Sequence, residues 1–376
     1  MYRLMTPGPT QVKSQVMEAR ALPFRNPDLD EDFVEEYHDL CRKISKLLNT
    51  ENETFILGGE GILGLEAACA SLIEPGDRAL VIDNGIFGHG FADFVEMYGG
   101  QPVFYTSDYR HAVDVDQLES YLKDNHDYKV ATIVHGDTPS GVLNDVNAIS
   151  ALLKGYGIIT IVDAVSTLFA EELALDCVDI LCGGSQKVIS APPGLTINIV
   201  SQQAKDAINN RKYPIASFYA NLKVFFNYYE EKWFPYTMPV SDINGLSVAI
   251  DNIEKDSDII KRHEEIAEAT RRAVIDSGLS LYLKNGYSNT VTVIEVPKET
   301  TAKAILDTMR HDHNIMIAGS FDCLAGKVIR IGHMGNNSNV EDVKITLFAL
   351  TDTLKKLGVS LCGNLGEEFE KNIISV

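Results

Sequence analysis

The chain has 376 residues, 45% of them hydrophobic, enough to bury a large core and to build two or three domains. Its formal net charge of −20 leaves no basic face of the kind that grips nucleic acid or an anionic membrane, so neither is expected as a partner. No run of about eighteen apolar residues occurs and no cationic, then apolar, leader opens the chain, so it reads as cytoplasmic. The six cysteines (Cys41, Cys69, Cys177, Cys182, Cys323, Cys362) show no metal-ligand spacing, so no metal is expected and buried free thiols are the default.

In chain order, residues 1–18 read as an N-terminal arm. An amphipathic helix follows over Asp30–Leu48, its core stripe made by Phe33, Tyr37, Leu40, Ile44 and Leu47. Apolar strands then alternate with helical segments, at Thr54–Leu57, Ala79–Ile82, Val103–Tyr105, Val130–Val134, Ile158–Val162, Ile180–Cys182 and Leu195–Val200. That alternation predicts an α/β fold, a large domain over residues 19–256 with a mostly parallel seven-stranded sheet covered by helices. A smaller C-terminal α+β domain is expected over 257–361. Its pattern begins with a long charged helix at Val248–Ser277 and goes on through strands at Leu279–Leu283, Thr290–Val296, Ile315–Ile317 and Val328–Ile331, a helix near Ile305, and a closing helix at Val340–Leu357. Residues 362–376 are acidic and weakly patterned and read as a tail of uncertain order.

The chemistry concentrates at strand ends. Leu181-Cys182-Gly183-Gly184-Ser185-Gln186-Lys187 places a lysine just past an apolar strand, among small residues that permit a sharp turn, ahead of Pro192-Pro193-Gly194. Asp163 ends the apolar run Ile158–Val162, where a carboxylate needs a partner, a ligand or a helix to cap. An amine and a carboxylate so placed suit pyridoxal phosphate, whose aldehyde is held as a Schiff base and whose ring nitrogen is kept protonated by an acid. Gly58-Gly59-Glu60-Gly61 lies between a strand and a helix, and such a turn offers backbone N–H groups to a phosphate or simply makes a tight connection.

Several motifs in register carry a resemblance over nearly the whole chain: Pro7-Gly8-Pro9, Gly59-Glu60-Gly61 with Leu65-Glu66-Ala67-Ala68, Asn84-Gly85-Ile86-Phe87-Gly88, His135-Gly136-Asp137-Thr138-Pro139-Ser140-Gly141, Val162-Asp163-Ala164-Val165-Ser166, Gly184-Ser185-Gln186-Lys187 with Ala191-Pro192-Pro193-Gly194, and Arg330-Ile331-Gly332-His333-Met334-Gly335. The chain resembles the alanine–glyoxylate and serine–pyruvate aminotransferases, class-V pyridoxal-phosphate enzymes with the aspartate-aminotransferase fold (fold type I). The resemblance implies pyridoxal 5′-phosphate as cofactor and a small amino acid and a 2-oxo acid as substrates. It also implies a ping-pong transamination through a Lys187 Schiff base, and a homodimer with its active sites at the subunit interface.

Carried over by residue, Lys187 and Asp163 are catalytic. Gly59, Glu60, Gly61, Ile62, Phe87, Thr138, Val165, Gln186 and Thr237 bind cofactor, with Phe87 on the ring in place of the usual tryptophan, and Thr237 reaching the neighbouring subunit's phosphate. Arg330 grips the substrate carboxylate, for which a planar guanidinium is suited, although a surface salt bridge would also account for an arginine there. Phe87 alone would read as core, and Thr138 and Gln186 as turn residues. Two positions depart from the family. Glu60 stands where a small hydroxyl residue usually bonds the phosphate, and it is expected to turn away, towards Arg25 or a substrate amine. Phe234 replaces a tyrosine near the partner's phosphate. Other readings are an aminoethylphosphonate transaminase, a lyase such as a cysteine desulfurase using Cys323, and a non-enzymatic ligand sensor, for which no DNA-binding module is present.

Overall fold

The computed structural model describes residues 2–374. Seven strands form the main sheet: β1 (Glu53–Gly58), β2 (Arg78–Asp83), β3 (Gln101–Thr106), β4 (Val130–Val134), β5 (Ile159–Asp163), β6 (Ile180–Gly184) and β7 (Leu195–Val200). Their order is β1-β7-β6-β5-β4-β2-β3. The central strands β4, β5, β6 and β7 are buried along their whole length, as helices on both faces of a parallel sheet require. The sheet is mostly parallel, but β7 runs antiparallel to both β1 and β6. The reason is local: only residues 185–194 join β6 to β7, too few for the crossover that a parallel pairing needs. Lys187 sits on that tight connection.

The helix Glu31–Leu47 is capped by Asp30, whose side chain accepts from the Asp32 and Phe33 amides. Its buried Tyr37 donates to the Ile56 carbonyl at 2.9 Å and accepts from the Ile56 amide at 2.8 Å, locking the helix onto β1.

A second, antiparallel sheet joins β8 (Val291–Glu295), β9 (Ala318–Gly319) and β10 (Val328–Gly332) in the order β8-β10-β9. Four expectations are corrected here. The long helix at 248–277 is two helices, Val240–Glu254 and Ile259–Asp276, parted where Arg262 forks onto Asp256 at 2.6 and 2.7 Å. Leu279–Leu283 is not a strand; within it Leu281 makes an isolated bridge to Ile294. Only Ile315–Met316 of the expected 315–317 strand is extended and paired, and its partner is Arg3–Leu4. The segment read as an acidic tail forms a helix, Leu365–Ile374, with Leu365 and Phe369 fully buried in the second hydrophobic core, because those two side chains make an apolar stripe too short to stand out among acidic residues. Residues 375–376 lie outside the described residues. The arm is built in as well: Met5 belongs to that same core, and a helix, Ser14–Arg20, crosses the expected boundary at residue 18. Among the described residues no helix is long and apolar enough to cross a membrane.

Candidate active site

The carboxyl ends of β1, β4, β5 and β6, with the helix start after β2, converge on a cavity of about 210 Å³. Ligands bind beyond the carboxyl ends of strands in such sheets, because that is where loops and helix N-termini face one another. The cavity is lined by Glu60, Ile62, Leu65, Phe87, Gly136, Thr138, Asp163, Val165, Ser166, Gln186 and Lys187. The structure thus brings together eight residues expected from the sequence: Glu60, Ile62, Phe87, Thr138, Asp163, Val165, Gln186 and Lys187.

Lys187 Nζ donates to the Pro7 carbonyl at 2.6 Å, so the arm closes one side of the lysine. Gly8 makes this approach possible: its φ is +87°, and a Cβ there would stand 2.3 Å from Lys187 Cδ. Burial, helped by the positive charge of Arg330, pushes the Lys187 amine down to about 8. Asp163 moves the other way, up to about 7, again mainly through burial. Its Oδ1 accepts from the Val165 amide at 2.8 Å, an Asx turn rather than a helix cap, since no helix begins at this point.

Asp137, quoted in a motif but given no role by the sequence, organises the neighbouring wall. Its fully buried carboxylate accepts from the Phe87 amide at 3.0 Å and from the Ser140 hydroxyl at 2.7 Å. Its signal in the sequence is the one that marked Asp163: a carboxylate just past a buried strand. Phe87 lies edge-on to Phe321, ring centroids 5.9 Å apart. Leu65, Gly136 and Ser166, which lie in the motifs but were given no role, also line the cavity.

Arg330, on β10, reaches across to this wall. Its Nη1 donates to the Thr138 carbonyl at 3.0 Å and its Nε to the Gly319 carbonyl at 2.5 Å. No carboxylate lies within ion-pair distance among the described residues, which disposes of the salt-bridge alternative, and Nη2 has no protein acceptor among them. Burial lowers its guanidinium to about 10, so it stays charged at neutral pH and can hold a ligand carboxylate beside Thr138.

The end near β1 differs from expectation. Glu60 does not turn away: Oε1 caps the helix Gly61–Leu72 by accepting from the Ile62 amide at 3.1 Å, and Oε2 accepts from Gln186 Nε2 at 2.9 Å. Arg25, the cation proposed for it, is engaged by Asp30 and Glu36, each at 2.7 Å. The Gly59 amide donates to the Gly194 carbonyl at 2.7 Å rather than facing a ligand. Gly61 serves close packing, for a Cβ there would stand 2.7 Å from Val165 Cγ2. Thr237 lies outside the cavity lining, its hydroxyl donating to Asp28 at 2.9 Å. Phe234 is a core residue stacked on Tyr228, ring centroids 5.5 Å apart.

A family model, aminotransferase class-V, matches residues 4–345. An uncharacterized aminotransferase of Methanocaldococcus jannaschii is 34% identical over 377 residues, covering 99% of this chain and 97% of its own. A pyridoxamine–pyruvate transaminase of Mesorhizobium japonicum is 33% identical over 373 residues, covering 97% and 94%. The crystal structure of pyridoxamine–pyruvate aminotransferase from Mesorhizobium loti matches with a TM-score of 0.94 at 31% identity, covering 99% of this chain and 97% of that one. The architecture is therefore that of the fold-type-I pyridoxal-phosphate enzymes. Within them, the chain belongs to the class-V aminotransferases, a pyridoxal-phosphate-dependent family of transaminases.

The residues present fit one end of that cofactor. An amine, a buried carboxylate and an aromatic wall suit a pyridoxal ring. The phosphate end does not fit: a carboxylate stands there, and it takes up donors that a phosphate would need.

Proposed function

We propose that this enzyme moves an amino group between a small amino acid of the alanine, serine or glycine type and a small 2-oxo acid of the pyruvate or glyoxylate type. The observation that carries this reading is the presence of Lys187 and Asp163 in one cavity, with Arg330 bonded to the carbonyl of Thr138, a residue of its lining. A pyridoxal ring bound here supplies an electron sink for the carbon that loses its proton. The protein's part is distributed among named groups. Arg330 binds the carboxylate of amino and oxo acid alike. Asp163 would hold the proton on the ring nitrogen, and its burial would keep that pairing dry. The Lys187 amine, pushed to about 8, exists as a free base in part near neutral pH and carries the proton to and from the substrate carbon. Phe87, Ile62, Leu65 and Val165 exclude water from the ring faces. The Mesorhizobium japonicum relative is named for pyridoxamine and pyruvate, and pyruvate suits a site with one arginine clamp.

The homodimer belongs to the same proposal. Exposed Phe24, Leu29, Phe218, Tyr219 and Trp233 support it, as does their link through Tyr236 stacked on Tyr219 and Thr237 bonded to Asp28. Cys323 is exposed on a short turn, Asp322–Leu324, and nothing in the cavity favours the lyase chemistry that would use it.

The test is a panel of alanine, serine, glycine, aspartate and aminoethylphosphonate, each offered with pyruvate or glyoxylate and the product amino acid quantified. Transfer from one small monocarboxylic donor, abolished in Lys187→Ala, supports the reading. Efficient use of aspartate or aminoethylphosphonate alone would replace it.

A further inference from the structure

The end of the cavity next to β1 is furnished with acceptors. The Glu60 carboxylate already draws on the Ile62 amide and the Gln186 side-chain amide. On that same side chain Gln186 Oε1 is buried and has no hydrogen-bond partner among the described residues. Two other donors from the expected cup are taken, the Gly59 amide by Gly194 and the Thr237 hydroxyl by Asp28. Phe234 has no hydroxyl to give. A phosphate dianion only accepts hydrogen bonds, so it would meet one full negative charge and a second unsatisfied acceptor. A hydroxyl donates, and it would satisfy either.

We propose that the pyridine compound used by this site carries an uncharged 5′-hydroxymethyl group, donated to Glu60 or Gln186, in place of a phosphate ester. It follows that the ring compound is a dissociable substrate, free pyridoxamine or pyridoxal, because the strongest anchor of a resident cofactor is missing. The reaction balances without a further reagent. The amine C–N bond of pyridoxamine breaks and a C–N bond forms at the oxo carbon. The aminomethyl carbon is oxidised by two electrons to an aldehyde while the oxo carbon is reduced by two. One carbon-bound hydrogen crosses as a proton, and the water lost on condensation is taken up again on hydrolysis. The inference rests on the transaminase reading above and names the amine carrier for that same site.

The test is a pair of absorbance titrations of purified protein, freed of bound chromophore by dialysis, with pyridoxal and with pyridoxal 5′-phosphate. The wild type should bind pyridoxal at least about tenfold more tightly, and Glu60→Gln should remove or reverse that preference, since it abolishes the charge and keeps an oxygen for the Ile62 amide. Glu60→Ser should go further towards the phosphate ester, but the glutamine variant decides the matter if the serine variant fails to fold. Pyridoxamine with pyruvate should yield pyridoxal and alanine. Equal or tighter binding of the phosphate ester by the wild type overturns the inference, as does phosphate-ester-supported exchange with no consumption of pyridoxamine. Those outcomes leave the transaminase reading intact. Failure of both aldehydes to attach to Lys187 would remove both readings.

Discussion

Burial drives Asp163 and Lys187 towards their neutral forms, and each shift predicts a pH dependence. Asp163 is raised to about 7 in the folded chain from an ordinary value of 3.8. The folded state therefore binds more protons than the unfolded one between these pH values, and its stability falls as pH rises through that window. Asp163→Asn, which keeps an oxygen for the Val165 amide, should melt above the wild type at pH 8, by up to about 4 kcal/mol, and close to it at pH 4. Calorimetry of ligand-free protein at the two pH values checks this; a melting difference independent of pH would refute the burial account. For Lys187 the free amine is the reactive form. The rate at which a carbonyl ligand attaches to it should rise through about pH 8, and Arg330→Met, by removing a neighbouring positive charge, should move that midpoint upward. Stopped-flow absorbance across pH measures both.

At the scale of single elements, the approach of the arm to Lys187 depends on Gly8. Gly8→Ala meets two penalties: a left-handed φ that costs about 1–2 kcal/mol for a residue with a Cβ, and overlap with the lysine side chain at 2.3 Å. Turnover should fall by about tenfold or more, while the unfolding free energy falls only by about the 1–2 kcal/mol of the backbone penalty, because a shift of the lysine side chain relieves the overlap. The C-terminal helix makes the opposite case, with a role in stability and none in chemistry. Phe369→Ala should cost about 3–5 kcal/mol of unfolding free energy and leave KM unchanged, since Phe369 is fully buried in the core beneath β10 and outside the cavity lining. Urea denaturation alongside steady-state kinetics separates the two effects.

Across the whole molecule, the first residues stitch the two hydrophobic cores together. Arg3–Leu4 pairs with Ile315–Met316, the Gly332 amide donates to the Met5 carbonyl at 2.8 Å, and the Thr10 amide donates to the Gln186 carbonyl at 3.1 Å. Glu171 adds a second tie by accepting from the Asn289 amide at 2.6 Å. A chain beginning at Thr10 should lose the strand pairing, the Met5 side chain and the Pro7 contact to Lys187 in one step. The β8-β10-β9 sheet should then exchange its amides sooner than the seven-stranded sheet, as hydrogen exchange followed by mass spectrometry would show. Uniform protection across both sheets would mean that the remaining ties suffice.

What the sequence determined by itself was local. Short apolar runs marked the seven strands, most of them buried on both faces, and small residues beside Lys187 marked a turn at a strand end. Asp163 was legible because a carboxylate that ends an apolar strand needs a partner, and the ordered motifs supplied the family. The tertiary structure alone decided which distant groups would meet. Pro7 reaches Lys187 across 180 positions, and Gln186 reaches Glu60 across 126. No periodicity encodes such pairings; they arise when strands far apart in the chain bring their ends to one edge of a sheet. The same holds for the last helix, whose two buried side chains acquire meaning only against a core assembled from other elements. Glu60 shows the division most clearly: its charge was visible at once as a conflict with a phosphate, and only the fold showed that it stays in place, capping a helix and taking the donors that a phosphate would need.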